Sequence, residues 1–385
     1  MNFAQEIQKY PWDTIRAAIE GKSISDVKQA IKAQQRSYDD LLALLSPSAG
    51  PLLEDMAQEA HQLTLQRFGR IIQMFAPIYV SSECINACLY CGFNRHNRIR
   101  RATLKPSEVI REGRSLYQAG FRHVLLLTGE SPGHVSVDDL GLIAEKLRRF
   151  FASISIEVYP MDSASYRKLI DRGVDGLTVY QETYHRGRYA EIHPTGPKRD
   201  YIRRMNTPDR GGRAGFRKIN IGALLGIADW RVEGAFVALH AAYLMRRYWR
   251  SHISISFPRL RPAAGGYQPK CPVSDVHMVQ LMCALRLFLP DAGIVLSTRE
   301  SRQFRDNLVP LGVTHMSAGS KTAPGGYAVK SETEGQFEIS DHRSPRAVAR
   351  MITRAGYEPV WKDWDAVYLN TMESLQHRDM DISLA

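Results

Sequence analysis

Cysteine is scarce in this chain, with five residues in 385, an odd number. Such sparse cysteines exclude a disulfide framework of the kind found in small secreted domains. The chain also has no apolar run of about 18 residues, and its first residues show no basic stretch followed by an apolar one. These absences predict a cytoplasmic protein without a membrane span, in a compartment where thiols stay reduced.

Acidic residues are outnumbered by basic ones, which gives a formal net charge of +11. The sequence nevertheless has no long polybasic tail, only short arginine-rich clusters at 95–101, 148–149, 186–188 and 246–250. Spread-out positive charge of this kind is typical of a solvated surface that faces an acidic partner protein. We therefore do not expect nucleic acid as a partner, and RNA binding with a steep salt dependence would contradict this interpretation.

Three of the five cysteines lie close together, Cys84, Cys88 and Cys91, with the spacing C-x3-C-x2-C. A structural zinc site uses four ligands, commonly in two pairs, and no second C-x2-C occurs here. The other two cysteines, Cys271 and Cys283, are far downstream. A [4Fe–4S] cluster normally takes four thiolates, so three would leave one iron open to a small molecule. The spacing favours such a cluster over zinc.

The secondary-structure pattern of the sequence changes near residue 70. Residues 1–70 read as a helical extension, after which eight β-rich runs alternate with helical stretches. The predicted strands are 78–82, 123–128, 154–159, 176–180, 218–223, 252–257, 293–298 and 313–317. This alternation predicts an α/β fold, a (β/α)8 TIM-type barrel over 71–320, with a C-terminal segment, 321–385, packed on it. Residues 186–213 are rich in Arg, Gly and Pro, and we expect a long loop with one short helix there.

Polar and charged residues follow the predicted strands, at the end of a barrel where active sites are found. The cysteine loop follows the first run, and Thr128, Gly129 and Glu130 follow the second. Further candidates at the strand ends are Glu157, Glu182, His185, Arg259, Arg261, Arg299 and Ser317. The strand count and the polar placement are independent signals, and they agree.

The cysteine loop, with Tyr90 before its third cysteine, resembles the signature C-x3-C-x-aromatic-C of the radical S-adenosylmethionine (SAM) superfamily. The resemblance implies a [4Fe–4S] cluster on Cys84, Cys88 and Cys91, with SAM bound to the open iron. Two more motifs resemble that superfamily: Thr128-Gly129-Glu130 its Gly-Gly-Glu motif, and residues 222–229 its degenerate G-x-I-x-G-x-x-E motif. The candidate cofactor-binding residues are Tyr90, Thr128, Gly129, Glu130, Glu157, Gly222, Leu224 and Arg259.

Each of these motifs has a plainer alternative. Tyr90 could simply pack in the loop, and Thr128-Gly129-Glu130 could be a helix cap. Residues 222–229 could be an ordinary turn between a strand and a helix, since Leu and Asp stand where the motif has Ile and Glu. For Arg259 and Arg261, a structural pairing with Glu157 or Glu182 is the alternative.

Over nearly its full length the chain resembles the 2-iminoacetate synthase family, the tyrosine lyases of bacterial thiamine thiazole synthesis. The segments that carry the resemblance are 84–93, 127–130, 179–185, 206–210, 256–262, 296–301 and 361–365. The resemblance implies cleavage of L-tyrosine between Cα and Cβ to 2-iminoacetate and p-cresol, with SAM converted to 5′-deoxyadenosine and methionine. It also implies two partner proteins, thiazole synthase and a flavodoxin-type reductant.

Candidate catalytic residues follow from the same resemblance. Arg299 matches the arginine that holds the amino acid carboxylate, Ser317 the serine after the eighth strand, and Tyr79 the tyrosine on the first strand. A planar guanidinium suits a carboxylate because it binds both oxygens. The alternative for Arg299 is a salt bridge to Glu300 or Glu130. Glu182 and His185 are candidates for contact with the ribose or for moving protons near the phenol.

Other aromatic amino acid lyases remain as rivals. The hydrogenase maturase that also cleaves tyrosine carries further cysteines for a second cluster, whereas no cysteine follows Cys283 here. A tryptophan lyase would differ mainly in the shape of its pocket, which the sequence does not resolve. An RNA-modifying radical SAM enzyme is a third rival, although no appended recognition domain is visible in the sequence.

Overall fold

The computed structural model of the chain describes residues 2–330 and 332–365. Five helices precede the sheet: α1 Phe3–Glu6, α2 Trp12–Glu20, α3 Ile24–Lys32, α4 Tyr38–Leu45 and α5 Leu53–Phe68. Capping boxes start α3 and α4, where Ser23 and Ser37 accept from the backbone N–H groups of Asp26 and Asp40. The apolar faces of α4 and α5 pack against a later barrel helix, Asp275–Phe288, so the extension shares its core with the barrel.

Eight parallel strands close into a barrel, as the sequence predicts. They are β1 Ile71–Ser81, β2 His123–Thr128, β3 Ser153–Glu157, β4 Gly176–Glu182, β5 Lys218–Ala223, β6 His252–Ser256, β7 Gly293–Leu296 and β8 His315–Ser317. Each strand pairs with the next one, and β8 pairs with β1, which pairs with β2 and completes the ring. The first strand is longer than predicted. Its extra residues at the start also pair with a ninth strand, β9 Glu358–Val360, outside the ring.

The remaining helices are α6 Pro106–Gln118, α7 Val137–Leu147, α8 Ser163–Asp171, α9 Arg186–Ile192, α10 Tyr201–Met205, α11 Thr207–Ala214, α12 Trp230–Arg247, α13 Asp275–Phe288, α14 Arg302–Leu308 and α15 Pro345–Arg354. The expectation of a long loop with one short helix at 186–213 is wrong, because three helices, α9 to α11, fill that segment. Asp200 caps α10, Pro208 suits the first turn of α11, and Gly215, with φ of 101°, ends it.

The strands of this barrel have an unusual pattern of side chains. Outward-facing positions are aliphatic and buried against the helices, for example Ile154 and Ile156 on β3. The alternating inward positions are mostly polar, whereas bulky branched side chains normally fill a TIM-type barrel. A cavity runs through the interior and is lined by, among others, His123, Ser153, Ser155, Thr178, Lys218, Asn220, His252, Ser254 and His315.

The C-terminal segment contacts both ends of the barrel. At the amino-terminal end, Asp363 Oδ1 lies 2.8 Å from His123 Nε2, and its Oδ2 lies 3.7 Å from Lys218 Nζ. At the opposite end, Gln336 and Phe337 line the interior cavity. The part of the expected C-terminal segment from residue 366 onward lies outside the described residues. Within the described ranges, no helix is both long enough and apolar enough to cross a membrane.

The histidines at the amino-terminal end of the barrel predict an acid-sensitive fold. Burial, together with the Lys218 charge, lowers the pKa of His252 from 6.5 to about 4 and that of His315 well below 6.5. The unfolded chain therefore takes up protons below pH 6.5 that the folded chain does not, so stability falls as pH decreases from 6.5 towards 4. At pH 5 each such histidine costs about 2 kcal/mol.

Urea unfolding of the cluster-free protein at pH 7.0, 6.0 and 5.0 measures this loss. We expect His252→Asn to flatten the dependence of the free energy of unfolding on pH. His342→Asn, at an exposed position, is the matched control and should leave the slope unchanged. Equal slopes for the native chain and His252→Asn would contradict the prediction.

Candidate active site

The three cysteines of the loop after β1 line one cavity, which we call the cofactor cavity, at the carboxyl end of the strands. Burial raises the pKa of all three thiols, that of Cys91 to about 11. Thiols with raised pKa values stay protonated near neutral pH unless a cation such as iron binds them. Among the described residues, no three Cys, His, Asp or Glu side chains are grouped to hold a single metal ion. A cubane cluster needs no such group, because each thiolate binds a different iron, so the three cysteines fit it.

A buried network of charges forms another wall of the cofactor cavity. Arg204 donates to Glu130 Oε1 at 2.7 Å, and Asn86 donates to Glu130 Oε2 at 2.9 Å. Lys198 donates to Glu182 Oε1 at 2.7 Å, and Arg204 lies 3.5 Å from the same oxygen. Burial opposes ionisation of Glu182, but the two cations outweigh it and hold the pKa of that carboxyl below its ordinary value. Two cations and two anions thus balance here without a ligand.

Glu182 is held in an unfavourable backbone conformation. Its φ of 69° is the one positive φ of a non-glycine residue in ranges 2–330 and 332–365. It sits where the pairing of β4 with β5 shifts register, and its carbonyl accepts from the N–H of Leu224 at 2.8 Å. Conformations of this kind cluster at functional sites. The structure therefore places Glu182, a candidate catalytic residue, in the wall of the cofactor cavity beside Lys198.

The other cofactor candidates fall into two groups. Tyr90, Thr128, Gly129 and Leu224 line the cofactor cavity together with Glu130 and Glu157. The Tyr90 hydroxyl lies 3.0 Å from Nε2 of a buried histidine, His193. Gly222 does not line the cavity. A β carbon there would come within 1.9 Å of the carbonyl oxygen of Ser256, so this glycine lets β5 and β6 approach.

Arg299 occupies the boundary between the cofactor cavity and the interior cavity of the barrel. Its guanidinium carbon lies 3.3 Å from the ring centre of Phe337. Within the described residues the guanidinium has neither an ion pair nor a hydrogen bond. Both alternative partners are occupied elsewhere, since Glu300 pairs with Arg259 and Glu130 pairs with Arg204. The five donors of this partly buried cation are thus available to a ligand.

The two cavities share one wall. Tyr79, Glu157, Tyr180, Arg299 and Gln336 line both of them. Burial, and then the negative charge of Glu182, raises the pKa of Glu157 to about 7. Ser317 lies in the interior cavity only. A molecule in the interior cavity would therefore contact this wall from one side and a cofactor from the other.

Arg259 and His185, like Gly222 and Arg261, lie outside both cavities. Arg259 donates to Glu300 Oε2 at 3.0 Å and to Asp275 Oδ1 at 2.7 Å, so its charge is neutralised in a structural cluster. Arg259 thus lies apart from the cofactor cavity, and its partners are not the glutamates expected as the alternative. His185 caps α9 by accepting from the N–H of Arg188, and its ring packs against Trp12. His185 therefore has a capping and packing role in this structure, and its contact with ribose or phenol stays a prediction.

Several residues of the site were missed by the sequence analysis. Lys198 and Arg204 come from the segment that we expected to be a loop, and Gln336 and Phe337 come from the C-terminal segment. Asn86 could have been predicted from the sequence, because it is a polar residue inside the cysteine motif, between Cys84 and Cys88. The others carry no motif, and only the folded chain brings them to the site.

Two family models match the chain. The radical SAM superfamily model matches residues 78–237, and the model of the biotin and thiamin synthesis associated domain matches residues 256–358. The first match begins within β1 and covers the cysteine loop and β2 to β5. The second begins at the end of β6, covers β7 and β8, and ends at the first residue of β9.

Curated relatives match almost from end to end. The chain is 46% identical over 365 residues to 2-iminoacetate synthase of Escherichia coli (strain K12), which covers 94% of this chain and 97% of that protein. The corresponding protein of Salmonella typhimurium is 45% identical with the same coverage. A solved structure of the FeFe-hydrogenase maturase HydG from Carboxydothermus hydrogenoformans is 30% identical, with a TM-score of 0.82, over 95% of this chain and 83% of that chain.

These similarities agree with the geometry of the site. The cysteine loop lies within the radical SAM match, and the identity to the curated relative extends over 94% of this chain. An identity of 46% over nearly the whole of both chains establishes common membership of one family. The chain belongs to the 2-iminoacetate synthase family of the radical SAM superfamily.

Proposed function

We propose that the chain is a radical SAM lyase that cleaves the Cα–Cβ bond of L-tyrosine to 2-iminoacetate and p-cresol. The observation that carries the proposal is the shared wall, where a partly buried arginine without an ion pair among the described residues, Arg299, lies between the cavity of the three cysteines and the interior cavity. Such an arginine needs an anion, and an amino acid carboxylate fits its planar donors. The relatives named 2-iminoacetate synthase supply the reaction.

On the cofactor side, Cys84, Cys88 and Cys91 would hold a [4Fe–4S] cluster, with SAM beside it. Cluster and SAM, when bound, supply a one-electron cleavage whose carbon radical takes a hydrogen atom from the substrate, and SAM ends as 5′-deoxyadenosine and methionine. The Glu130 carboxylate accepts two hydrogen bonds in this structure, and an ionised carboxylate can accept about four. It therefore retains capacity for the SAM ammonium group.

On the substrate side, Arg299 would bind the tyrosine carboxylate and fix its orientation. Glu157 lies within the electrostatic influence of Arg299 and faces both cavities, so it could hold a proton near the substrate amino group. Ser317 and Tyr79 would complete the pocket. Orientation matters in this chemistry, because reacting atoms about 3–3.5 Å apart and aligned lose far less entropy at the transition state.

An anaerobic assay tests the activity directly. Reconstituted protein is incubated with SAM, a reductant and, in separate reactions, L-tyrosine, L-tryptophan or L-phenylalanine. We expect p-cresol and 5′-deoxyadenosine from L-tyrosine, with no cleavage of the other two amino acids. Formation of 5′-deoxyadenosine without p-cresol would contradict the proposal, and cleavage of L-tryptophan would indicate the tryptophan lyase instead.

Arg299→Lys should impair binding of tyrosine more than any other step. Lysine keeps the charge but loses the two parallel donors, and loss of a buried charged contact costs about 3 kcal/mol. We therefore expect kcat/KM for tyrosine to fall about 100-fold, mainly through KM. Arg302→Lys, an exposed neighbour at the start of α14, is the matched control. An unchanged KM in Arg299→Lys would show that the carboxylate binds elsewhere.

The product also suggests partners. An imine such as 2-iminoacetate hydrolyses in water, so direct transfer to the next enzyme would protect it. We propose thiazole synthase as that acceptor and a flavodoxin-type protein as the electron donor. Co-purification of thiazole synthase with this chain tests the first proposal. Reduction of the cluster by flavodoxin in place of a chemical reductant tests the second.

A further inference from the structure

Gln336 connects the two sides of the site through one amide group. Its Nε2 lies 3.6 Å from Cys91 Sγ, and its Oε1 accepts a hydrogen bond of 2.8 Å from the Tyr79 hydroxyl. Cys91 is the third cysteine of the cluster motif, and Tyr79 lies in the wall shared with the interior cavity. One side chain from the C-terminal segment thus contacts a candidate iron ligand and a candidate substrate residue.

The backbone around Gln336 is held against the cysteine loop. The N–H of Gly92 donates to the Gln336 carbonyl at 2.9 Å, and the N–H of Gln336 donates to the Thr322 carbonyl at 2.8 Å. A β carbon at position 92 would come within 2.7 Å of the carbonyl oxygens of Gly335 and Gln336. Glycine directly after Cys91 is therefore required for this close approach, and it fixes where the amide can reach.

Chemistry fixes the direction of the amide. A thiolate can only accept hydrogen bonds, so the NH2 group must face Cys91, which leaves the carbonyl oxygen for the phenol. Tyr79 can donate because burial, first of all, holds the pKa of its hydroxyl well above the ordinary value. The result is a continuous chain of hydrogen bonds, from the phenol O–H through the amide to the sulfur.

We infer that Gln336 is a positioning residue that sets the reduction potential of the cluster and holds the Tyr79 phenol at the substrate wall. The inference rests on the proposed function, in which Cys91 ligates the cluster. Hydrogen bonds to cluster sulfurs shift reduction potentials. A donor on the sulfur stabilises the reduced cluster, which carries one more negative charge, so Gln336 should raise the potential. The same amide keeps the phenol from turning away from the substrate.

Two variants separate the two contacts. Gln336→Met has nearly the same shape and loses both of them, whereas Tyr79→Phe loses only the phenol contact and keeps the donor to sulfur. Ser340→Ala, on the same segment but outside both cavities, is the matched control. Iron content is measured first, and the midpoint potential of each reconstituted protein is then determined by a redox titration followed by electron paramagnetic resonance.

We expect a more negative midpoint in Gln336→Met and an unchanged midpoint in Tyr79→Phe and Ser340→Ala. Both Gln336→Met and Tyr79→Phe should release more 5′-deoxyadenosine per p-cresol than the native protein, because the substrate wall has loosened. If Gln336→Met does not take up iron, Gln336→Asn, which withdraws the amide by one methylene, is titrated with the same expectation.

A Gln336→Met protein with full iron content and the native midpoint would overturn the inference. So would an equal shift in Tyr79→Phe, since that variant keeps the contact to sulfur. Failure of the proposed function would look different: the native protein would then lack the cluster, or would not convert tyrosine to p-cresol. The midpoint does not depend on which amino acid is cleaved, so the two failures are distinguishable.

Discussion

Cys88→Ala is expected to abolish cleavage of SAM and to remove most of the iron from the reconstituted protein. Cys88 is 5% exposed and lines the cofactor cavity with the other two cysteines of the motif. With three protein thiolates, each holding one iron, loss of one leaves two ligands for a cluster that ordinarily takes four. Cys84→Ala and Cys91→Ala should behave in the same way.

One of the two remaining cysteines, Cys271, supplies the control. Cys271 is partly exposed, lies outside both cavities, and its backbone N–H donates to the carbonyl of Gly226. Cys271→Ser should therefore keep the iron content and activity of the native protein. The measurements are iron and sulfide content, the visible absorbance of the cluster, and 5′-deoxyadenosine formation. A Cys88→Ala protein that keeps its cluster, or a Cys271→Ser protein that loses it, would contradict the assignment of the ligands.

The barrel could be predicted from the sequence because its signals are local. Each strand is a short run between turn residues, and each lies between helical stretches. Errors in where a strand starts or ends therefore do not change the count of eight. The start of β1 was missed because its pairing with β9 joins residues 71–73 to residues 358–360. No local pattern around residue 71 encodes a partner that far along the chain.

The site was predictable where a motif marks it and not elsewhere. The cysteines and Glu130 stand in short motifs, and Arg299 follows a strand, so the fold carries all of them to one end of the barrel. Arg259 also follows a strand, but it pairs with Glu300 and Asp275, and no local pattern in the sequence indicates those partners. Gln336 was missed because its contacts, to Cys91 and Tyr79, exist only after the C-terminal segment folds over the barrel.

The second prediction with a large expected effect concerns protein stability and the residue Arg204. It is 6% exposed and contacts Glu130, Glu182 and the carbonyl of Tyr180, the last at 2.6 Å. Arg204→Leu removes all of these contacts, and Lys198 cannot compensate because it already pairs with Glu182. Breaking a buried ion pair by deleting one partner costs about 3–5 kcal/mol. That is a large part of the roughly 5–15 kcal/mol that holds a protein folded.

We therefore expect a clear fall in the urea midpoint of Arg204→Leu, together with weaker SAM binding in equilibrium dialysis, because the same carboxylates line the cofactor cavity. Arg203→Leu, the exposed neighbour on α10, should stay within about 0.5 kcal/mol of the native protein.

A double variant separates the two effects. Adding Glu130→Gln to Arg204→Leu removes the unpaired carboxylate, so part of the stability should return while SAM binding stays weak. If the two substitutions simply add, Arg204 does not stabilise the fold through Glu130. In that case its contribution to stability comes from Glu182 and the Tyr180 carbonyl.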